Sequence, residues 1–328
     1  MAPMHEGHGA PGHEHGDGHG NGDAHEQATD DGKPRIAFIG AGRVGTALGA
    51  AFARAGWQVT AVASRDEERR RRFQERVAGA RAFADANAVL DEADLIFVTV
   101  PDDAIAGVAS SMLLYSGQAL VHTSGALPAS VLEPAMAAGT NMGSFHPLVS
   151  FTDLDHAQAD LAGATIALEG DESLLPLLAE MAESIGAQPV LLPEGGKAAY
   201  HAAAMLAAGG LIGLYDAIAQ VAVLAGLDEK TAVAVYAPLS RQALANAQRV
   251  GIDAALSGPV VRGDVGTVRT HLAVLGDLAP SALALYVEVC RRELAIARRR
   301  GELDPAAAEV MAALLDDASG AAGRARGD

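Results

Sequence analysis

Lys197 and His201 stand four residues apart, the spacing that puts two side chains on one face of a helix. An ammonium beside an imidazole can neutralise, or hand a proton to, an atom on which negative charge develops. Lys197 is the only lysine between Lys33 and Lys230; the competing account is a surface lysine snorkelling over a core histidine. His146 lies in Ser144-Phe145-His146-Pro147-Leu148, where the following proline holds its backbone extended and projects the ring from a strand end. It can act as acid, base or carboxylate anchor, or serve as a hydrogen-bonded structural residue. A third group is the loop Ser257-Gly258-Pro259-Val260-Val261-Arg262-Gly263-Asp264. There Arg262 can grip a carboxylate with its planar fork while Asp264 fixes the loop, unless the two simply pair with each other. Ser257, Arg262 and Asp264 are thus the candidate substrate-binding residues.

Such groups need a frame. An apolar strand over Arg35–Ile39 is followed by a glycine turn and an alanine-rich helix over Val44–Ala55, and a second strand over Val59–Ala63 follows at once. Charged Asp66–Arg76 reads as the solvated face of the next helix. Strands are predicted near Arg81–Phe83, Leu95–Val100, Ala119–His122 and Asn141–Phe145, with helices near Asn87–Glu92 and Leu127–Ala138. A last strand-helix-strand unit covers Ala164–Leu168, Glu172–Ile185 and Pro189–Leu192. Alternation of this kind implies a parallel, doubly wound sheet. Beyond Glu194 strand signals vanish, and helices are predicted over Gly196–Ala225, Asp228–Val250, Thr267–Ala273, Pro280–Arg299 and Pro305–Asp316. The fold expected is α/β, an N-terminal Rossmann sheet followed by an all-α C-terminal domain. Its parts are a tail (1–33), a dinucleotide-binding domain (34–193), a helical substrate and dimerisation domain (194–318) and a second tail (319–328).

Gly40-Ala41-Gly42-Arg43-Val44-Gly45 gives the frame its purpose. Following a strand and opening a helix, Gly40 can make the tight turn, Gly42 can admit a pyrophosphate to the backbone, and Gly45 can let helix approach strand. The phosphates would meet the unpaired N–H groups of a helix N-terminus, flanked by Arg43 and Val44. At the end of the second strand, where an NAD enzyme usually carries an acid, stand Ser64 and Arg65. A hydroxyl and a guanidinium suit a 2′-phosphate, so NADP is the expected cofactor, with Asp66 and Glu67 as near competitors. Val100 and Pro101 end the fourth strand beside the expected nicotinamide half, and His122-Thr123-Ser124-Gly125 opens into the same crevice, making Ser124 a cofactor contact.

Composition narrows the partners. The chain has 328 residues and a formal charge of −17, which disfavours nucleic acid and anionic membrane and favours small molecules. One cysteine, Cys290, excludes an internal disulfide and fits a reducing, cytoplasmic setting. His5, His8, His13, His15, His19 and His25 are scattered among Gly and acids without the spacing of a metal site, so no metal is expected and the tail reads as disordered. Ala198–Gly226 is apolar enough to raise the question of a membrane span, but His201, Asp216, Gln220 and Gly209-Gly210 interrupt it. It is expected to be a helix buried on nearly all sides in a soluble protein.

Together the glycine loop, Val100-Pro101-Asp102, His122–Gly125, Phe145–Leu148, Lys197 with Tyr200-His201, and Ser257–Pro259 with Arg262–Asp264 resemble a family of Rossmann-like oxidoreductases with a C-terminal helical domain of unknown function. That family is related to the 6-phosphogluconate dehydrogenase C-terminal-like superfamily. Relatives of similar architecture are ketopantoate, β-hydroxyacid and pyrroline-5-carboxylate enzymes and prephenate dehydrogenases. The resemblance covers Arg35 to about Arg299. It implies an NADP(H)-dependent oxidoreductase, often a dimer, acting on a small carboxylate substrate, with a ketopantoate-like 2-oxo acid first and an imine second. Lys197, His201 and His146 would be catalytic. The chain departs from the pattern at His201, where ketopantoate and β-hydroxyacid enzymes carry asparagine, and at Gly209, where the family often does. A cofactor-binding sensor without catalysis is the third expectation.

Overall fold

β1 (Ile36–Ile39) is apolar at every position and buried throughout, as a strand inside a parallel sheet with both faces covered must be. Seven more strands build on it in the computed structural model, which describes residues 32–137 and 139–324. They are β2 (Val59–Ala63), β3 (Arg81–Phe83), β4 (Leu95–Val98), β5 (Ala119–His122), β6 (Asn141–Pro147), β7 (Thr165–Gly170) and β8 (Gln188–Leu191). The order is β3-β2-β1-β4-β5-β6-β7-β8. Strand order reverses between β1 and β4, so a crevice opens beyond their carboxyl ends, where such sheets hold ligands. The expected sheet is parallel except that β7 runs antiparallel to β6, pairing Ser144 with Glu169 and His146 with Ala167.

Its two faces are covered by α1 (Arg43–Arg54), α2 (Glu67–Arg76), α3 (Asp102–Ser110), α4 (Leu154–Leu161) and α5 (Leu175–Ser184). One face carries stacked Phe38 and Phe97, 5.3 Å between ring centroids, with Phe145 edge-on to Phe97 at 5.6 Å. The other packs Ile39, Val98 and Leu120 against Ile105, Met112 and Leu132. α3 and α4 were not predicted. Their sequences are short and weakly patterned, although Pro101 followed by Asp102 and Asp103 is a proper helix start. The helix expected over Leu127–Ala138 shrinks to a 3₁₀ turn, Ala129–Ala135, because Pro128 precedes it and Pro134 interrupts it. That near Asn87–Glu92 is likewise a 3₁₀ turn, Ala86–Glu92.

The helical part begins with α6 (Lys197–Met205), runs through a π-helical turn, Leu206–Gly210, and continues as α7 (Leu211–Val223). Then come α8 (Glu229–Val250), α9 (Ile252–Ala255), α10 (Val265–Leu278), α11 (Pro280–Arg300) and α12 (Pro305–Arg324). Val268, Leu272, Val287, Leu294, Met311 and Leu315 form their core, with Cys290 among them, its thiol pushed up to about 11 by burial. Two expectations fail here. Residues 319–324 belong to α12 rather than to a tail, since alanines at 318, 321 and 322 carry the helix on; 325–328 and the histidine-bearing 1–31 lie outside the described residues, while Lys33 stands 4.6 Å over the Trp57 ring. The helix over Ala198–Gly226 is not buried on nearly all sides: only 6% of its most apolar window is covered. A narrow stripe, Ala217, Ala219, Val221 and Ala222, faces neighbours, while Leu206 and Ile212 are 75% and 70% exposed.

The glycine loop shows how tightly helix and sheet meet. Gly40 has φ of +106°, and a Cβ there would lie 2.6 Å from the Thr99 carbonyl oxygen. A Cβ on Gly45 would collide with both the Gly40 carbonyl oxygen and Thr99 Oγ1. Gly45→Ala should therefore force α1 off β1 and β4, costing about 1–3 kcal/mol, read as a lowered urea midpoint. An unchanged midpoint would show that the loop yields freely.

Candidate active site

Thr99 follows β4 and locks the loop, donating its hydroxyl to Gly40 O at 2.6 Å and its N–H to Ile39 O at 2.7 Å. Sequence reading passed it over because a threonine ending a strand is unremarkable. Gly42 caps α1 without a side-chain bond, the first turn holds no acid, and nothing lies within 4 Å of where its Cβ would be. That is the open, donor-rich surface a pyrophosphate requires. Val44 follows on α1, and Arg43 reaches Thr152 O at 3.3 Å, fastening the segment after β6.

At the end of β2, Asp66 is occupied: it caps α2 by accepting Arg69 N at 3.1 Å and pairs with the Arg69 side chain. It also donates its own N–H to Ser64 Oγ at 3.3 Å, and Arg70 bonds the Ser64 carbonyl oxygen. Of the two acids that competed with Ser64 and Arg65 for a ribose, Asp66 is thus turned into the helix, while Glu67 is exposed on the first turn of α2. Arg65 is exposed. The residues present fit a dinucleotide. Val100 and Pro101 lie at the end of β4, Pro101 as the N-cap of α3.

The junction of sheet and helices is organised by Lys197. It is 2% exposed, and its Nζ donates to Ser124 O at 2.5 Å and to Ser144 Oγ. Burial lowers its pKa to about 8, against the opposing pull of Glu169 and Asp102. The Ser124 hydroxyl donates to Asp102 Oδ2 at 2.7 Å and accepts from Ala126 N and Leu127 N, so this expected cofactor contact is spent on the turn. His122 is fully buried; its Nδ1 accepts Ser124 N at 3.1 Å, leaving Nε2–H to donate to Pro128 O at 3.1 Å. Burial, then the Lys197 charge, lowers it to about 3, and the same two causes, joined by His201, take His146 to about 4.

His146 and His201 do come together: their ring centroids are 5.7 Å apart, with Tyr200 edge-on to His146 at 5.6 Å. The floor beneath them is Gly125, where a Cβ would lie 2.7 Å from His146 Nε2 and clash with His201 Nδ1. Ser257, Arg262 and Asp264 lie on the segment between α9 and α10. Ser257 and Arg262 are exposed, and Asp264 caps α10, accepting Thr267 N at 3.1 Å and Thr267 Oγ1 at 2.7 Å. Its carboxylate, expected to pair with Arg262 or a substrate, is held well below the usual range first by the Thr267 bonds and only last by Arg262 and His271. Asp102 and Ser144 were read only as members of strand-end motifs, without their roles at Lys197, and Glu169 was not read at all. A lone acid in the apolar strand β7 was the available signal for Glu169.

Residues 22–147 match the model of the Rossmann-like domain, and residues 164–293 that of a domain of unknown function, DUF2520. The chain joins a Rossmann-like domain to a DUF2520 domain. Among solved structures it is similar to protein TM1727 from Thermotoga maritima, 27% identical over 81% of this chain and 99% of that one, with a TM-score of 0.64. An imine reductase from a Pseudomonas species shares the fold at 21% identity, covering 86% and 99% of the two chains, TM-score 0.62. So does a reductive aminase from Aspergillus terreus in complex with NADPH and ethyl-5-oxohexanoate, at 17% identity, 89% and 93%, TM-score 0.55. No curated protein matches the chain. Lys197 lies within the DUF2520 match, after β7, α5 and β8, whereas Ser124 and Ser144 lie within the Rossmann-like match.

The buried imidazoles make the junction sensitive to acid. In the unfolded chain they bind protons near the ordinary 6.5, whereas folded His122 and His146 resist until about 3 and about 4. Stability is therefore full above 6.5 and lost as pH falls, with a slope approaching about 1.4 kcal/mol per pH unit for each ring. Urea unfolding from pH 7 to pH 4 should show this loss, and His122→Asn should flatten it; parallel curves for the two proteins would rule out His122 as the source.

Proposed function

We propose that this Rossmann-like and DUF2520 chain is an NADP(H)-dependent reductase of a small polar substrate. The reading is carried by one juxtaposition: an uncapped glycine-loop helix and a buried lysine flanked by histidines sit at the carboxyl edge of the same sheet. Gly40, Gly42 and Gly45 with the α1 N-terminus would hold the pyrophosphate, Ser64 and Arg65 the 2′-phosphate, and Val100 with Pro101 the nicotinamide side. The dinucleotide supplies the hydride when bound. Lys197 spends two of its three N–H groups on Ser124 and Ser144, which leaves one for the substrate side. His146 and His201 flank it as candidate proton-handling groups.

A small 2-oxo acid of the ketopantoate type is the first substrate reading. Reduction of a cyclic imine is the second; its substrate is already cationic, so a nearby lysine is less useful to it. Likeness of fold to an imine reductase and a reductive aminase supports the same alternative. The test is a screen of NADPH oxidation against 2-oxo acids and cyclic imines. NADPH should outperform NADH, and Arg65→Ala should raise the KM for NADPH about tenfold or more, the loss of one charge-assisted phosphate contact. Equal use of both cofactors by the wild type would exclude the NADP assignment.

The setting proposed is cytoplasmic and soluble, without nucleic acid. α6 to α7 is long and apolar enough to cross a membrane, yet its first residue is Lys197, hydrogen-bonded inside the sheet junction, so withdrawing it into lipid would dismantle the site. We assign the exposed apolar face instead to a homodimer. Between α7 and α8 runs a groove of about 1060 Å³ lined by Leu206, Leu211, Val223, Val233 and Leu244. Ile212→Asp should convert dimer to monomer in light scattering; a monomeric wild type would remove the proposal.

A further inference from the structure

Among the described residues, four side-chain atoms are buried without a hydrogen-bond partner: His146 Nδ1, Glu169 Oε2, Tyr200 OH and His201 Nδ1. All four belong to residues of this one junction. A buried polar group left unpaired costs about 1–3 kcal/mol, and native proteins hold few of them. Such a concentration marks a surface shaped for something else to complete.

The four divide by chemistry. Glu169 Oε2 is an acceptor; Oε1 already takes Ala129 N at 3.3 Å, and the carboxylate lies in the field of Lys197, opposite Ser144 in the β6–β7 register. The other three can all donate. Burial raises the Tyr200 pKa, so its phenol keeps its proton, and each imidazole donates from Nδ1 in the tautomer that protonates it. Tyr200 and His201 come from the first turns of α6, His146 from β6, and His146 meets both rings edge to face, at 89° and 79°. Each of the three residues is only partly buried, so the group reaches the edge of the crevice. Around it the titratable groups are Lys197 on α6, Asp102 at the start of α3, His122 at the end of β5 and Glu169 on β7. The lysine is opposed by the two acids, and burial keeps His122 neutral.

We infer that His146, Tyr200 and His201 form an anion subsite that takes one carboxylate of a small substrate on two imidazole N–H groups and the phenol O–H. The inference rests on the reductase reading and moves the carboxylate anchor from Arg262 to the junction. Two imidazole N–H groups and a phenol O–H match the few acceptor atoms of a carboxylate, whereas a phosphate would call for a guanidinium fork that this cluster lacks. The cluster packs on the Ser124-Gly125 turn, with His201 Nδ1 and His146 Nε2 against Gly125. Gly125 must be bare for the rings to stand there at all.

The test is calorimetric titration of the protein saturated with NADP⁺, using acetate, pyruvate and oxalate, each beside its neutral amide. At least one acid should bind about tenfold or more tightly than its amide. His146→Asn, Tyr200→Phe and His201→Asn should each weaken that acid about tenfold while leaving NADP⁺ affinity and amide binding in place, and Gly125→Ala should abolish acid binding by displacing His201. Acids no tighter than amides, or acid affinity kept in all three variants and lost in Arg262→Ala, overturns the subsite. Retained NADP⁺ affinity certifies that a variant has folded. Failure of the wild type to bind NADP⁺ would defeat the reductase reading itself; NADPH oxidation with uncharged imines but no preference for acids would defeat the subsite alone.

Discussion

A buried ammonium must be solvated by something, and in this chain that requirement ties two domains together. Lys197 opens the first long helix of the DUF2520 domain, yet its Nζ is satisfied by Ser124 after β5 and Ser144 on β6. Removing an ion from water is costly unless good geometry and hydrogen bonds replace the lost hydration. Here a carbonyl, a hydroxyl and two nearby carboxylates do so, and the helix cannot drift without exposing or orphaning the charge. Tyr200 and His201 are placed by that anchor, being one turn further along the same helix. Ser124, in turn, is held by Asp102 at the start of α3, so the tether extends to the strand end next to the glycine loop.

Much of the frame was legible because it rests on local rules. An all-apolar strand, a glycine loop and an alanine-rich helix can be read in order, and β1 to β3 with α1 and α2 stand where the periodicity put them. Lys197, His201 and His146 were likewise legible as a group, since helical spacing and a following proline fix their directions. What escaped depends on long-range pairing. The antiparallel pairing of β7 with β6 and the role of Glu169 have no signature within a window of ten residues. Ser124 was legible as a crevice residue but not as one whose hydroxyl is consumed by its own turn.

The misreading of the long apolar helix has a different cause. Hydrophobicity says that a surface avoids water, not what will cover it, and burial by the chain's own core was only one of the options. The loop at Arg262 was legible in part: Asp264 was expected to fix it and does so as the N-cap of α10, a role that Thr267 three residues on also signals.

The π-helical turn at Leu206–Gly210 gives the molecule a built-in offset between its two surfaces. A helix advances each residue by about 100°, so one residue more or fewer in that turn would rotate everything beyond it by more than a quarter circle. Upstream, α6 must keep Lys197 and His201 turned toward the sheet; downstream, α7 must keep its alanine stripe on α8 and α11. The turn is the phase adjustment that lets one continuous helix meet both demands, and it fixes the angle at which the alanine stripe stands to Lys197.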